Sequence, residues 1–359
     1  VYDTVSGNTY NNRVTVPVPS HTPADRYDLV LYTSDGEEVS SGAVKVVREY
    51  PPEYTILHIS DTHMCQGARI NGHPERLFKI SAMADIANII GPELVFVTGD
   101  IINNAMLPPR ERSSFFYDGS EADGLKGMHG FHAATFTTVG NHDFLEGEQP
   151  EGTLFPEKAS FWNAHHGLQF HHFTYGATRC MIVNTGWNGF DWTYQLTAHA
   201  DWLDQAGPGD LRIAAYHKSE MGIMGAWGNK VDLGLTMIGH NHHLAGDNPY
   251  VLGGRPIQYY ANSLREHFVF NLYRVAHDGS YTVFNNVQAV ENPEAAPSSW
   301  KPRLRLTFAQ ANDGTSPENT AALVNDFDTG FPRARVRFLV PKGRRYKVSG
   351  GTVAVSYTH

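Results

Sequence analysis

The chain has 359 residues, of which 41% are hydrophobic and 18% are charged, and its formal net charge is −9. This composition is typical of a globular protein with more than one ordinary domain, and no apolar run reaches the length of about 18–20 residues that a membrane-spanning helix needs. The acidic balance also argues against a protein that coats nucleic acid.

The first 52 residues are predicted to form a β region, which we expect to be immunoglobulin-like. Alternating runs separated by turn residues indicate three short strands: RVTVPVP, RYDLVLYT and GAVKVV. The Pro-Pro pair at residues 51–52 then ends the region, because proline cannot donate to a sheet and restricts the residue before it.

Residues 53–292 alternate between β and α patterns, which predicts an α/β layer architecture. The run PERLFKISAMADIANII has apolar residues at helical spacing and predicts a helix. The run ELVFVT is apolar throughout, as in a strand buried on both faces. Five further strands are predicted, in YTILHIS, ATFTTVG, RCMIVNTG, LRIAAYHK and LGLTMIGH.

Residues 293–359 return to a β pattern and predict a small C-terminal β-sandwich region, with strands in PRLRLTFAQ, RARVRFLVP and GGTVAVSYT. The two cysteines, Cys65 and Cys180, could form one disulfide or remain two thiols. The flanking β regions, the low lysine and arginine content and a start without Met favour a secreted or periplasmic protein. The flanking regions are candidates for contact with a polymer or a cell surface.

Five predicted strands end in side chains that bind metals. At an open α/β sheet the carboxyl ends of the strands form the ligand crevice, so these groups are expected to meet. They exceed what one four-coordinate ion accepts and suit two ions that share a carboxylate, with Fe, Zn, Mn or Co matching the donors. Each motif alone is also typical of a strand-end turn, but their joint occurrence favours the metal site. The side chains are Asp61, His63, Asp100, Asn141, His142, His217, His240 and His242.

In this order, Asp-x-His, Gly-Asp, Gly-Asn-His-Asp, His and Gly-His-x-His resemble the motifs of the calcineurin-like metallophosphoesterases, over roughly residues 53–290. The resemblance implies a central β-sandwich flanked by helices, in α/β/β/α layers. It implies that Asp61, His63 and His242 hold one metal ion, and that Asn141, His217 and His240 hold the second. Asp100 would bridge the two ions, and His142 would face the leaving or a non-bridging oxygen of the substrate.

The chemistry implied is phosphoester hydrolysis by a hydroxide held between the two ions. Asn103 occupies the position where the purple acid phosphatase branch has its tyrosine ligand, so the chain is not assigned to that branch. This departure favours phosphodiesters slightly over phosphomonoesters, and phosphotriesters stay open. A non-catalytic binding module with this fold is the alternative from another class.

The neighbouring positions are given lesser roles. Asp143 is a candidate for orienting His142 or a liganding imidazole. Lys218 is a candidate phosphate contact or a solvent-facing lysine. The adjacent glycines Gly99, Gly140 and Gly239 are expected to allow tight turns beside the metals. His243 is a candidate to orient a ligand. The remaining histidines and aromatic residues are assigned mainly to packing or to the surface, and they are His129, His132, His165, His166, His171, His172, Trp187, Phe190, Trp192 and Trp227.

Overall fold

A computed structural model describes residues 16–64, 69–70, 73–103, 124–143, 162, 166, 168–185, 192–207, 209–218, 233–242, 250–251, 257–341 and 343–351. Six of the residues singled out above lie outside these ranges: Cys65, His165, Trp187, Phe190, Trp227 and His243. In chain order the elements are β1 (Arg26–Thr33), β2 (Gly36–Lys45), β3 (Glu53–Ile59), β4 (Arg69–Ile70), β5 (His73–Pro74), α1 (Glu75–Ile90), β6 (Leu94–Thr98), β7 (Ala134–Thr138), β8 (His171–Tyr175), β9 (Thr178–Ile182), α2 (Trp192–Asp204), β10 (Leu211–Tyr216), β11 (Leu235–Ile238), β12 (Tyr250–Val251), β13 (Ile257–Tyr260), α3 (Leu264–His267), β14 (Val269–Ala276), β15 (Tyr281–Gln288), β16 (Leu304–Phe308) and β17 (Ala321–Asn325). Single turns of 3-10 helix occur at Met128–Gly130, Asn141–Asp143 and Pro297–Ser299.

Two mixed sheets form the centre of the molecule. One has the strand order β15-β14-β3-β6-β7, in which β3, β6 and β7 are parallel. The other has the order β12-β13-β11-β10-β9-β8, in which β9, β10, β11 and β13 are parallel. The six central strands predicted from the sequence are all present, and all five residues of β6 are buried, as its apolar run predicts.

The side chains of the strands alternate between two hydrophobic cores, because neighbouring residues of a strand point to opposite faces. Ile56 and Phe96 pack between the sheets with Ile213 and Met237 of the opposite sheet. The other face of the first sheet packs on α1, and the other face of the second sheet packs beside α2. This gives the α/β/β/α layers that the sequence predicts.

The predicted helix is confirmed as α1, whose apolar side chains are buried. It begins directly after Pro74, where a missing backbone N–H costs no helical hydrogen bond. It ends at Gly91, which has a φ of +70° and donates its N–H to the carbonyl of Ala87. Glycine takes this left-handed conformation without a steric penalty.

Two of the three strands predicted in the N-terminal region are present, and its immunoglobulin-like character stays a prediction. β1 and β2 pair as an antiparallel hairpin, and Arg26 donates hydrogen bonds to the carbonyls of His129 and Phe131 in the central body. The predicted strand RVTVPVP is wrong over its described residues, 16–19, which have no strand structure. Pro17 and Pro19 lack the N–H donors that a ladder requires.

The C-terminal region differs more from its prediction. β16 is present and pairs with β17, a strand that the sequence analysis missed. Residues 333–341 are irregular instead of forming the predicted strand, because their backbone groups bond elsewhere. The N–H of Arg335 donates to the carbonyl of Ile89, and the Asn312 side chain bonds to backbone groups of Arg337 and Leu339.

The C-terminal strand pair shares its core with the central body. Leu304 of β16 and Phe327 are buried in the same cluster as the apolar face of α1. Glu93 accepts hydrogen bonds from Arg333 and Arg335, each at 2.8 Å. The domain boundary at residue 292 stays a prediction.

Candidate metal centre

Seven side chains predicted as ligands follow the carboxyl ends of five parallel strands. Asp61 and His63 follow β3, Asp100 follows β6, and Asn141 follows β7. His217 follows β10, and His240 and His242 follow β11. The two sheets pack face to face, so the loops after their parallel strands meet at one edge of the sandwich.

One cluster could hold a metal ion between Asp61, His63, Asp100 and His242, whose ligand atoms all lie within 4.8 Å of one another. The Nε2 atoms of His63 and His242 are 3.2 Å apart. Asp61 Oδ1 lies 3.0 Å from the Nε2 atom of His242 and 3.8 Å from that of His63. Such spacings suit ligands of one ion with bonds of about 2.0–2.2 Å.

A second cluster consists of Asp100, His217 and His240, again with ligand atoms within 4.8 Å of one another. The Nε2 atom of His217 is 3.2 Å from Asp100 Oδ2 and 3.2 Å from Asn141 Oδ1. Asn141 therefore adds a fourth oxygen or nitrogen donor to this group. Asp100 belongs to both clusters.

The backbone at these positions is strained. Six non-glycine residues in the described part of the chain have left-handed φ angles, and four of them are Asp61 (52°), His63 (41°), Asp100 (47°) and His240 (71°). Residues with a Cβ rarely adopt this region, at a cost of about 1–3 kcal/mol each, and such strain is concentrated at functional sites.

The glycines beside the candidate ligands mainly allow neighbouring side chains and backbone to pack close to their Cα atoms, and only one of them makes a tight turn. Gly99 has a φ of +81°, and a Cβ there would lie 2.6 Å from the His217 ring. Gly140 and Gly239 do not have left-handed φ angles. A Cβ would collide with Asp100 at Gly140 and with the Ser60 hydroxyl at Gly239. Of the three predicted turn glycines, only Gly99 has the turn geometry.

The imidazoles proposed as ligands differ in the contacts of their outer ring nitrogens. His217 Nδ1 donates to the carbonyl of Thr98 at 2.7 Å, which directs its Nε2 lone pair at the cluster. His242 Nδ1 is 3.3 Å from Glu266 Oε1. His63 Nδ1 is buried and has no hydrogen-bond partner.

His142 lies beside the first cluster, with its ring centroid 4.8 Å from that of His63. Its backbone N–H donates to Asp100 Oδ1 at 2.9 Å, and its Nδ1 donates to the carbonyl of Asn103 at 2.8 Å. Nε2 is then the ring nitrogen left for a substrate. Asn103 thus contributes a backbone carbonyl at the position where the purple acid phosphatases have a tyrosine.

Asp143 is buried and bonds to backbone amides instead of to an imidazole. Its carboxylate accepts from the N–H groups of Ile101 (2.8 Å), Ile102 (3.0 Å) and Gly140 (2.7 Å). These bonds join the loop after β6 to the loop after β7. The role of Asp143 in orienting an imidazole stays a prediction, and the contacts it makes hold the loops that carry Asp100 and Asn141.

Burial and the carboxylates divide the imidazoles into two kinds. Burial lowers the pKa of His63 to about 4 and also lowers that of His240, so both are neutral and ready to bind metal. For His217, burial acts against protonation, but Asp100 outweighs it and raises the pKa to about 9. The hydrogen bond to Asp61 raises the pKa of His242. A cation that binds through the imidazole of His217 must therefore displace a proton.

Lys218 directly follows the candidate ligand His217, whereas His172 lies on the edge strand of the second sheet. The Lys218 backbone N–H donates to the Thr185 hydroxyl at 2.6 Å, and its charge lowers the pKa of His240. His172 lies on β8, where its ring stacks on Trp202 at 4.2 Å and its Nδ1 is 3.1 Å from His199 Nδ1.

The sequence analysis missed a second layer of residues beneath Asp61 and His242. Ser263 donates its hydroxyl to the carbonyl of Asp61 at 3.1 Å, and its Oγ accepts from the N–H of Glu266 at 3.3 Å. Arg265 and Glu266 flank His242 Nδ1. The signal was available, because Ser-x-x-Glu is a capping-box pattern that predicts a helix start at Ser263.

The residues fit a pair of metal ions. In the first cluster, two imidazole nitrogens lie 3.2 Å apart, close enough to bind the same cation. The carboxylate of Asp100 is shared by both clusters and could contact a cation in each. The mixed nitrogen and oxygen donors suit borderline metals.

Comparison with known proteins identifies the family. The family model for calcineurin-like phosphoesterases matches residues 54–244, somewhat more than half of the chain. This chain belongs to the calcineurin-like phosphoesterase family. No curated protein is similar enough to count as a match.

Two solved structures illustrate the likeness. A purple acid phosphatase from yellow lupin (Lupinus luteus) seeds has 14% identity and a TM-score of 0.46, with 72% of this chain and 57% of that chain covered. A dimetal phosphatase from Danio rerio has 10% identity and a TM-score of 0.41, with 66% of this chain and 100% of that chain covered. The chain thus spans somewhat more than half of the lupin protein. Among the described helices, none is long and apolar enough to cross a membrane.

Proposed function

We propose that this chain hydrolyses a phosphoester at a dinuclear metal centre, with phosphodiesters favoured slightly over phosphomonoesters. The observation that carries the proposal is Asp100, whose carboxylate belongs to both candidate metal clusters. A shared carboxylate is the arrangement that two-metal phosphoesterases use to hold both ions near one phosphate.

The proposed ligands follow the geometry of the two clusters. Asp61, His63 and His242 hold the first ion, and Asn141, His217 and His240 hold the second, with Asp100 between them. Fe, Zn, Mn and Co all match this donor set. When bound, the two ions neutralise charge on the phosphate oxygens and lower the pKa of water.

His142 is proposed to donate a proton or a hydrogen bond to the leaving oxygen through Nε2. The support is its orientation, since the bond from Nδ1 to the Asn103 carbonyl fixes the ring and the tautomer. The bond from its backbone N–H to Asp100 ties its position to the metal cluster. Lys218 is a candidate for a charge contact with the substrate.

The preference for phosphodiesters is supported by Asn103, which replaces the tyrosine of the purple acid phosphatase branch. Phosphomonoesters and phosphotriesters remain alternative substrates, because the same two ions would serve them. A non-catalytic module with this fold is less well supported, because all seven ligand side chains are present and close together.

The test combines metal analysis with hydrolysis of bis-p-nitrophenyl phosphate and p-nitrophenyl phosphate. Asp100→Asn should reduce both bound metal and turnover. His142→Ala should retain metal and lose about 10²–10⁴-fold in kcat, the usual contribution of general acid catalysis. The matched controls are Asp328→Asn and His277→Ala, both exposed and remote from the clusters in sequence. Wild-type turnover in Asp100→Asn would refute the proposal.

Export to the periplasm or the cell exterior is also part of the proposal, and it rests on the flanking β segments and the low content of lysine and arginine. Fractionation of cells that produce the chain from its native gene would test it. Contact of the flanking segments with a polymer or a cell surface is proposed on the same grounds.

A further inference from the structure

Among the candidate ligands, His242 differs in the partners of Nδ1, the ring nitrogen that points away from the metal cluster. His217 directs Nδ1 at a backbone carbonyl, whereas His242 directs Nδ1 at two charged side chains. Glu266 Oε1 lies 3.3 Å from this nitrogen, and Arg265 Nη2 lies 3.0 Å from it. Arg265 also donates to the Glu266 carboxylate.

These two neighbours favour opposite tautomers of His242. A carboxylate only accepts hydrogen bonds, so Glu266 requires a proton on Nδ1, which leaves the Nε2 lone pair directed at the metal cluster. A guanidinium only donates, so a bond from Arg265 requires an unprotonated Nδ1. The proton then sits on Nε2, from which it donates to Asp61 Oδ1 at 3.0 Å. Only the first tautomer can bind a metal through Nε2.

We propose that Glu266 is a positioning residue that selects the metal-binding tautomer of His242 and thereby sets the affinity of the first metal site. The inference rests on the proposed dinuclear centre and adds a residue outside its ligand set. Glu266 side-chain exposure is 36%, so the carboxylate reaches His242 from the rim of the site, and its bond to Arg265 holds it there.

The effect should be confined to one of the two sites. In the second cluster, the outer nitrogen of His217 bonds to the Thr98 carbonyl, which no change at Glu266 removes. Carboxylates that hydrogen-bond to a liganding imidazole typically contribute a factor of about 10–100 in metal affinity. Loss of Glu266 should therefore weaken metal affinity at the first site by that factor and leave the affinity of the second site unchanged.

The experiment is calorimetric titration of metal-free full-length protein with Mn²⁺, together with the metal content after dialysis. Wild type should bind two ions. Glu266→Ala should bind one ion with wild-type affinity and the other about 10–100-fold more weakly. Glu266→Gln keeps an oxygen that accepts from Nδ1–H but loses the charge, so its loss should be smaller than that of the alanine variant.

Glu291→Ala is the matched control, because Glu291 pairs with exposed Lys301 in the C-terminal segment. Equal melting temperatures of the metal-free variants show that the fold is intact. If Glu266→Ala binds both ions as wild type does, or weakens both equally, the inference is overturned. If wild type itself binds no Mn²⁺ pair, the proposed metal centre fails as well, which separates that failure from failure at Glu266.

Discussion

Gly239 offers a sharp test of how the metal centre is built, through the substitution Gly239→Ala. A Cβ at this position would collide with the Ser60 hydroxyl and would lie 2.5 Å from the Thr98 carbonyl oxygen and 2.9 Å from Asp61 Oδ2. Cβ atoms do not approach other atoms so closely, so at least one of these groups must move. The backbone carbonyl of Thr98 has little freedom, because it is the last residue of a fully buried strand.

The displaced groups serve both metal clusters. Asp61 is a candidate ligand of the first ion, and it also accepts the backbone N–H of His240 at 2.9 Å. The Thr98 carbonyl accepts from His217 Nδ1, which orients the second cluster. We expect the overpacking to cost about 1–3 kcal/mol in the free energy of unfolding. We also expect each site to lose at least about tenfold in metal affinity, in the range found when an orienting partner is lost.

The measurement is urea unfolding with and without metal. An ion at 100 times its Kd stabilises the folded state by about 2.7 kcal/mol, and a tenfold weaker Kd removes about 1.4 kcal/mol of that. Gly239→Ala should therefore lose stability in the metal-free state and lose more when metal is present. Gly330→Ala is the control, since a Cβ there would have no atom within 4 Å. A Gly239→Ala protein within 0.5 kcal/mol of wild type, with both ions bound, would refute the steric argument.

Two further predictions concern stability. Burial, only partly opposed by Asp61, lowers the pKa of His58 to about 3, so near pH 5 the unfolded chain binds a proton that the folded chain does not. We therefore expect this residue to lower the free energy of unfolding of the metal-free wild type by up to about 1.4 kcal/mol per pH unit as the pH falls from 6.5 towards 3. Urea unfolding in the presence of a chelator should show that His58→Gln lacks this contribution to the slope. Equal slopes for the two proteins would contradict the prediction. Leu304→Ala should lower the free energy of unfolding by about 2–5 kcal/mol, because Leu304 is 1% exposed in the core that contains α1. Leu323→Ala is the control and should be nearly neutral, since Leu323 is 41% exposed. If Leu304→Ala melts like wild type in a thermal scan, packing of β16 on the central core does not stabilise the protein.

The central sheets were predictable because their sequence pattern is strong. Apolar runs such as ELVFVT are followed at once by polar residues, and that change locates the carboxyl end of each strand. Parallel pairing then brings Asp61, Asp100 and Asn141 to one edge without any knowledge of the loops between them. The order of the motifs, through their resemblance to a known family, predicted the remaining candidate ligands and the bridging role of Asp100.

The failures share a different cause, because they depend on partners that are distant in sequence. Residues 333–341 alternate like a strand, yet their hydrogen bonds go to Ile89 and to the Asn312 side chain. No local pattern encodes those choices. Glu266 is similar, since its capping-box position predicts a helix start but says nothing about His242, which is 24 residues away.

The strained backbone indicates how the site is kept ready for its ions. Asp61, His63 and His240 would each relax to an ordinary φ if their loops were free. Their loops are held by protein atoms: the N–H of Asp61 donates to the Gly99 carbonyl at 3.1 Å, that of His63 to the Asp100 carbonyl at 2.9 Å, and that of His240 to Asp61 Oδ2 at 2.9 Å. These bonds join the loops after β3, β6 and β11 to one another. Because the strain is held by the buried sheets on which the loops stand, the energy that fixes the ligands comes from the core of the sandwich, and binding of an ion need not supply it.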